Sequence, residues 1–152
     1  MASIKASTVK EVKEISEHTV SLLGMKSDVS VSAEEGHIKV SIDSEDSALL
    51  IGYRGESLFA LRHILSLLCR ESLPEGTSFT VDVGGYLKGR EKRIEQMVEE
   101  AAATAKETGK AQSLPSMNAY ERMIAHQKAS SLGVVSQSEG TGQNRQVVIS
   151  KE

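Results

Sequence analysis

The chain has 152 residues, 39% of them hydrophobic, enough for one ordinary domain or two small ones and too many for a disordered chain. With no Trp, two Phe and three Tyr, the core must be built from Val, Ile, Leu, Met and Ala, and the aromatic base-stacking platforms of an RRM or an OB-fold are scarce. A net charge of −3 argues against indiscriminate polyanion binding, yet it averages five basic against nine acidic residues over 1–50, seven against five over 51–93, and six against seven over 94–152.

In chain order, Thr8 with Glu11 three residues on forms a capping-box pattern, so a first helix is expected from Thr8 along Val9, Val12, Ser16, Val20 and Leu23, ending at Gly24. Val29 and Val31 then alternate with serines, Glu35-Gly36 gives a turn, and Ile38, Val40 and Ile42 alternate with Lys39, Ser41 and Asp43. That is a strand pair with one wet face. Ser44 is expected to cap a short helix through Ala48 to Ile51 that breaks at Gly52. A longer helix resumes after Gly55 with Leu58, Leu61, Ile64, Leu65 and Leu68 as its inner stripe. Pro74 and Gly76 close this pair, and Phe79, Val81 and Val83 form a third strand ending at Gly84-Gly85.

From Tyr86 a long helix is expected along Ile94, Met97, Val98, Ala101 and Ala105, stopped by Gly109. Ser116 is expected to cap another helix running to Leu132, with strands at Val134 to Glu139 and Arg145 to Ser150 around a glycine-containing polar loop. The expected division is 1–85 and 86–152, the connector helix belonging to the second part. The single cysteine, Cys69, forms no internal disulfide, and no secretory signal or membrane-spanning run is present, so the chain reads as cytoplasmic.

Two constellations carry chemistry. A helix that breaks into Gly52-Tyr53-Arg54-Gly55 and restarts presents backbone N–H groups at a helix N-terminus, where free donors and partial positive charge suit a phosphate. Arg54 adds a cation, and Leu49, Leu50, Ile51 and Leu58 offer an aliphatic wall for bases. Taken alone, two glycines three apart equally fit a plain helix–turn–helix connection. The second constellation is Arg122 and His126, one turn apart on one helical face, where a guanidinium and an imidazole can share a phosphate. Arg145 is expected to reach toward that pair if the tail packs beside the helix. Lys88, Arg90, Lys92 and Arg93 form a cationic cluster that either extends a nucleic-acid track or is the wet face of a helix.

Catalytic readings lack their parts. Gly55 is not followed by Lys-Ser or Lys-Thr, so the loop is no P-loop, and no dinucleotide fingerprint follows a strand. Cys69 lies near the inner stripe of its helix and reads as core. The four histidines are dispersed without metal-ligand spacing, so no catalytic residue, metal or cofactor is expected.

The order helix, strand, strand, helix, Gly-x-x-Gly, helix, strand, with Leu50-Ile51-Gly52-Tyr53-Arg54-Gly55-Glu56-Ser57-Leu58 at its centre, resembles a KH domain of the second topological type. Asn118-Ala119-Tyr120-Glu121-Arg122 with His126, followed by Ser138 to Ile149, resembles an R-three-H domain. The two in tandem are similar to the bacterial Jag family. What the resemblance implies is an α+β chain, a type II KH domain joined by a long helix to a small R-three-H α/β domain. It further implies a non-enzymatic grip on single-stranded RNA or single-stranded DNA at both modules, about four nucleotides at the KH loop. It also implies a regulatory role connected with cell elongation and envelope growth, and a small stand-alone KH protein as partner.

The chain departs from the family's pattern in three ways. Tyr53 stands where a lysine or arginine is common, and Met123 and Gln146 occupy positions often basic. The separate N-terminal domain frequent in the family is not expected within these residues. The departures in charge motivate a competing expectation, a protein-interaction adaptor in which the KH fold serves as a homodimer surface and RNA binding is weak or lost.

Overall fold

The computed structural model describes residues 4–151; residues 1–3 and 152, which the expected domain ranges include, lie outside it. The chain divides into two compact units, with the boundary between Leu87 and Lys88.

In the first unit, helix α1 spans Ala6–Leu22 and strands β1 and β2 span Asp28–Glu34 and His37–Asp43. Helix α2 covers Ser47–Ile51, α3 covers Glu56–Leu68, and β3 covers Ser78–Val83. The sheet order is β1-β2-β3. β1 runs antiparallel to β2 through the Glu35-Gly36 turn, and β3 runs parallel to β2 with Val40 opposite Val81. A parallel pair cannot be joined by a hairpin, so α2 and α3 form the crossover. This is the topology of a type II KH fold. Strand alternation turns Val29, Ile38, Val40, Ile42 and Val81 inward, where α1 packs on β1 and α3 on β3, while Ser30, Ser32 and Lys39 stay wet.

Four expectations need correction. Helix α1 begins two residues before Thr8, with Lys5 as N-cap and no side-chain cap; the Thr8 amide donates to the Lys5 carbonyl, and no capping box forms with Glu11. Ile4 packs against the core, which draws the helix start toward it. Ser44 does not cap α2, which starts at Ser47. The Ser44 hydroxyl instead donates to the Lys26 carbonyl at 2.6 Å and accepts the Asp46 amide at 3.1 Å, tightening the approach to the helix. On α3, Leu58, Leu61 and Leu65 are buried, but Ile64 and Leu68 are 49% and 54% exposed, as is Leu67 at 54%. A single helical layer covers the sheet, so only the narrow stripe facing it is enclosed. Lastly, Asn118 and not Ser116 caps the helix of the second unit.

That second unit begins within α4, Tyr86–Thr108, and continues with β4 (Gln112–Ser113), α5 (Ala119–Ser131), β5 (Val135–Glu139) and β6 (Gln146–Ser150). β6 lies between β4 and β5, antiparallel to both. Its Val147 and Ile149 are fully buried with Ile94, Val98 and Ala102 of α4 and with Ile124, Ala125 and Ala129 of α5. At the start of α5, Asn118 Oδ1 accepts the Glu121 amide at 2.9 Å while Glu121 Oε2 accepts the Asn118 amide at 3.0 Å, a complete capping box. Among the described residues no helix is long and apolar enough to cross a membrane.

Cys69 sits in the first core beside Val12, Leu58 and Leu65. Burial, with a smaller contribution from the negative charge of Glu11, pushes its thiol up to about 11. Because the thiolate is the reactive form, alkylation near neutral pH is expected to be slow in the folded chain and fast after denaturation. Prompt stoichiometric labelling of the native protein would contradict this core.

Candidate nucleic-acid interface

The break between α2 and α3 is built by backbone conformation. The Gly52 amide ends α2 on the Ala48 carbonyl at 2.9 Å, and Gly52 takes φ 70° and ψ −175°. A 3-10 turn over Tyr53–Gly55 follows, and Gly55, left-handed at φ 82°, starts α3. A Cβ on Gly52 would stand 2.2 Å from Ser57 Oγ and 2.8 Å from Ser57 Cβ. One on Gly55 would stand 3.1 Å from Tyr86 Cε1 and 3.2 Å from Phe59 Cε2. Gly52 is thus required by both φ and space, and Gly55 by φ, with two ring edges leaving a Cβ only a tight fit.

Between them, Arg54 has φ 52° and ψ 26°, and among the described residues it is the single non-glycine with positive φ. Its guanidinium carbon lies 5.1 Å from the centroid of the Tyr53 ring, a cation–π contact worth about 0.5–1 kcal/mol at an exposed site. Tyr53 is 71% exposed. The aliphatic wall expected from sequence is mostly interior. Leu50 and Leu58 are 3% and 0% exposed and belong to the core, and Ile51 is half-buried against it. These three support the loop from beneath, because the face of each helix that carries them is the face that packs; Leu49, 65% exposed, is the apolar side chain left at the surface. Glu56 occupies the first turn of α3, where it favours the helix and adds negative charge beside the loop.

In the second unit, Arg122 and His126 are half-buried and engaged with the protein. Arg122 Nη1 donates to the Met117 carbonyl at 2.7 Å. His126 Nδ1 lies 2.7 Å from Ser136 Oγ and Nε2 lies 2.9 Å from Ser138 Oγ. The period of two along β5 puts both serines on one face, and α5 lays His126 across it. These contacts tie both side chains to the unit's frame, and both residues stay partly exposed. Arg145 is exposed, and its carbonyl accepts the Met117 amide at 2.9 Å, so Met117 is held on one side by Arg145 and on the other by Arg122. Of the cationic cluster, Lys88, Lys92 and Arg93 are exposed, whereas Arg90 is drawn inward: its Nε donates to Glu121 Oε1 at 2.6 Å.

Sequence reasoning missed Glu121, which is 2% exposed with both carboxylate oxygens satisfied, and the two serines that hold His126. The Asn118-x-x-Glu121 spacing was a readable capping signal. Nothing in the spacing marked Arg90 as the partner of Glu121 31 residues away.

A helix–strand–strand–helix–Gly-x-x-Gly–helix–strand unit, followed by one carrying Arg122 and His126 on the helix beside β5 and β6, defines a protein in which a KH domain precedes an R-three-H domain. Residues 13–83 match the KhpA/KhpB KH domain, and residues 92–151 match the R-three-H domain. The chain is 31% identical over 140 residues to the RNA-binding protein KhpB of Clostridium symbiosum, covering 90% of this chain and 63% of that relative. It is 30% identical over 149 residues to the RNA-binding protein KhpB of Bacillus subtilis, covering 96% of this chain and 72% of the relative. The protein of the same name in Streptococcus pneumoniae is 29% identical over 116 residues, covering 76% of this chain and 35% of that relative. The chain belongs to the KhpB family, also called Jag. It spans a little under two thirds of the Clostridium relative's length. The names of these relatives describe RNA-binding proteins.

Because His126 bridges α5 to β5, His126→Ala is expected to strip two hydrogen bonds and loosen the strand, at a cost of roughly 1–3 kcal/mol. Amide hydrogen exchange at Val135 to Glu139 should accelerate in the variant. Unchanged protection there would show that the two serine contacts contribute nothing to docking the strand.

Proposed function

We propose that this chain binds single-stranded RNA without catalysing a reaction on it, gripping it at the Gly52-Tyr53-Arg54-Gly55 loop and at the second unit. The observation that carries the reading is the backbone of Arg54. A left-handed arginine is strained where glycine is not, by about 1 kcal/mol, and this one is spent on an exposed loop that has glycine on both sides. Strain of that kind marks a side chain retained for what it meets. Here it sets a guanidinium beside the start of α3, whose first amides have no side-chain cap.

In the second unit the exposed Arg145, with Lys88, Lys92 and Arg93, supplies cations, while Arg122 and His126 shape the surface from within. Two modest sites on one chain raise avidity above either alone. From the resemblance to the Jag family we further propose a role in post-transcriptional regulation connected with cell elongation and envelope growth, with a small stand-alone KH protein as partner.

A second reading, an adaptor that pairs through its KH fold, draws on one observation: Ile64, Leu67 and Leu68 lie exposed at i, i+3 and i+4 on α3. If that face mediates self-association, sedimentation should show a dimer that Ile64→Glu converts to a monomer; a monomer at all concentrations removes the reading.

The RNA reading is tested by titrating a labelled single-stranded RNA at several salt concentrations. A phosphate grip predicts that affinity falls steeply as salt rises, and that Arg54→Asn, which tolerates the left-handed backbone, lowers the logarithmic salt slope by about one. Absence of binding at the lowest salt would refute it.

A further inference from the structure

We propose that Tyr53 is a base-stacking residue, so that the loop holds one unstacked nucleobase as well as the phosphate backbone. This rests on the RNA-binding reading above and names what part of the ligand that site takes.

Three observations point to it. Tyr53 is the most exposed large aromatic among those the structure leaves at the surface, 71% against 38% for Tyr120. The other rings near the loop have structural work, since Tyr86 and Phe59 both close against Gly55. Tyr53 has no such place in either core. An amphipathic ring set on the tip of a turn gains little stability from its position.

The second observation is the ring's partner. Arg54 lies over Tyr53 at 5.1 Å, a contact that leaves most of the ring's surface in water. A base stacking on the open part of the ring would extend the arrangement to guanidinium, phenol and base, each layer polarising the next.

The third is chemical economy. The loop carries a single cation, Arg54, in a chain of net charge −3. Phosphate contacts alone would give a grip that salt readily dissolves. Stacking on an aromatic ring is indifferent to sequence and far less sensitive to salt, because every base has a π-face. A residue that replaces a second charge with a ring therefore exchanges attraction for any polyanion for selectivity toward strands whose bases are free. Duplexes, whose bases are stacked on one another, would not present the required face.

The test uses the full chain with two probes of equal length, a single-stranded RNA of mixed sequence and an abasic strand with the same phosphate backbone. For the RNA, Tyr53→Ala is expected to weaken binding roughly 5- to 150-fold, the range for loss of one base–aromatic stack, and Tyr53→Phe to leave it nearly unchanged. On the abasic strand, wild type and Tyr53→Ala should bind alike. An equal loss on both probes would overturn the proposal, showing that Tyr53 acts only by positioning Arg54 for phosphate, and so would no loss on either. If the wild-type chain binds neither probe, the RNA-binding reading itself fails and the stacking role falls with it. Circular dichroism of each variant checks that the exposed substitution leaves the fold in place.

Discussion

Parallel pairing of β2 with β3 is the constraint from which the first unit follows. Two parallel neighbours must be joined by a chain that leaves the sheet, crosses one face and returns, and here the crossing is made by α2 and α3. A single straight helix would carry one apolar stripe in one direction. Breaking it at Gly52 and Gly55 lets Leu50 and Leu58 both descend into the core although they lie on different helices. The exposed turn that results, with Tyr53 and Arg54 at its tip, is thus a by-product of covering the sheet. Chemistry added there costs the core little, because neither side chain is part of it.

The second unit meets a different problem, that of fixing a short helix against a three-stranded sheet with few large side chains. Its solution is polar. Glu121 is almost wholly buried, which would be costly for a lone carboxylate, but Arg90 and the Asn118 amide satisfy its two oxygens. The same carboxylate that completes the helix cap therefore also binds α5 to α4. Arg122 and His126 act in the same sense, one on the Met117 carbonyl and the other on the serines of β5. The arginine and histidine that give this domain type its name thus each make a contact within the frame.

Much of the fold was legible because its signals are local. Alternation in Ile38, Val40 and Ile42, the stripe from Ile94 to Ala105 and the glycines that interrupt helices are periodic patterns within a few residues of one another, and each matches an element. The misreadings came where tertiary context decides. Thr8 has the composition of a cap, but a helix start is also placed by what the preceding residue packs on, here Ile4. Ile64 and Leu68 fit an apolar stripe, but whether a stripe is covered depends on how many layers the fold has. Arg90 read as surface charge because its partner is remote in sequence. At the loop the spacing of Gly52 and Gly55 was readable, whereas the left-handed arginine and the ring beneath it are properties of three-dimensional geometry that no residue pattern encodes.

The serine pair that holds His126 also relaxes what the ring itself must specify. A hydroxyl can donate or accept by rotating about its C–O bond. Ser136 and Ser138 can therefore satisfy the imidazole in either tautomer, so the latch between helix and strand does not depend on which ring nitrogen carries the hydrogen.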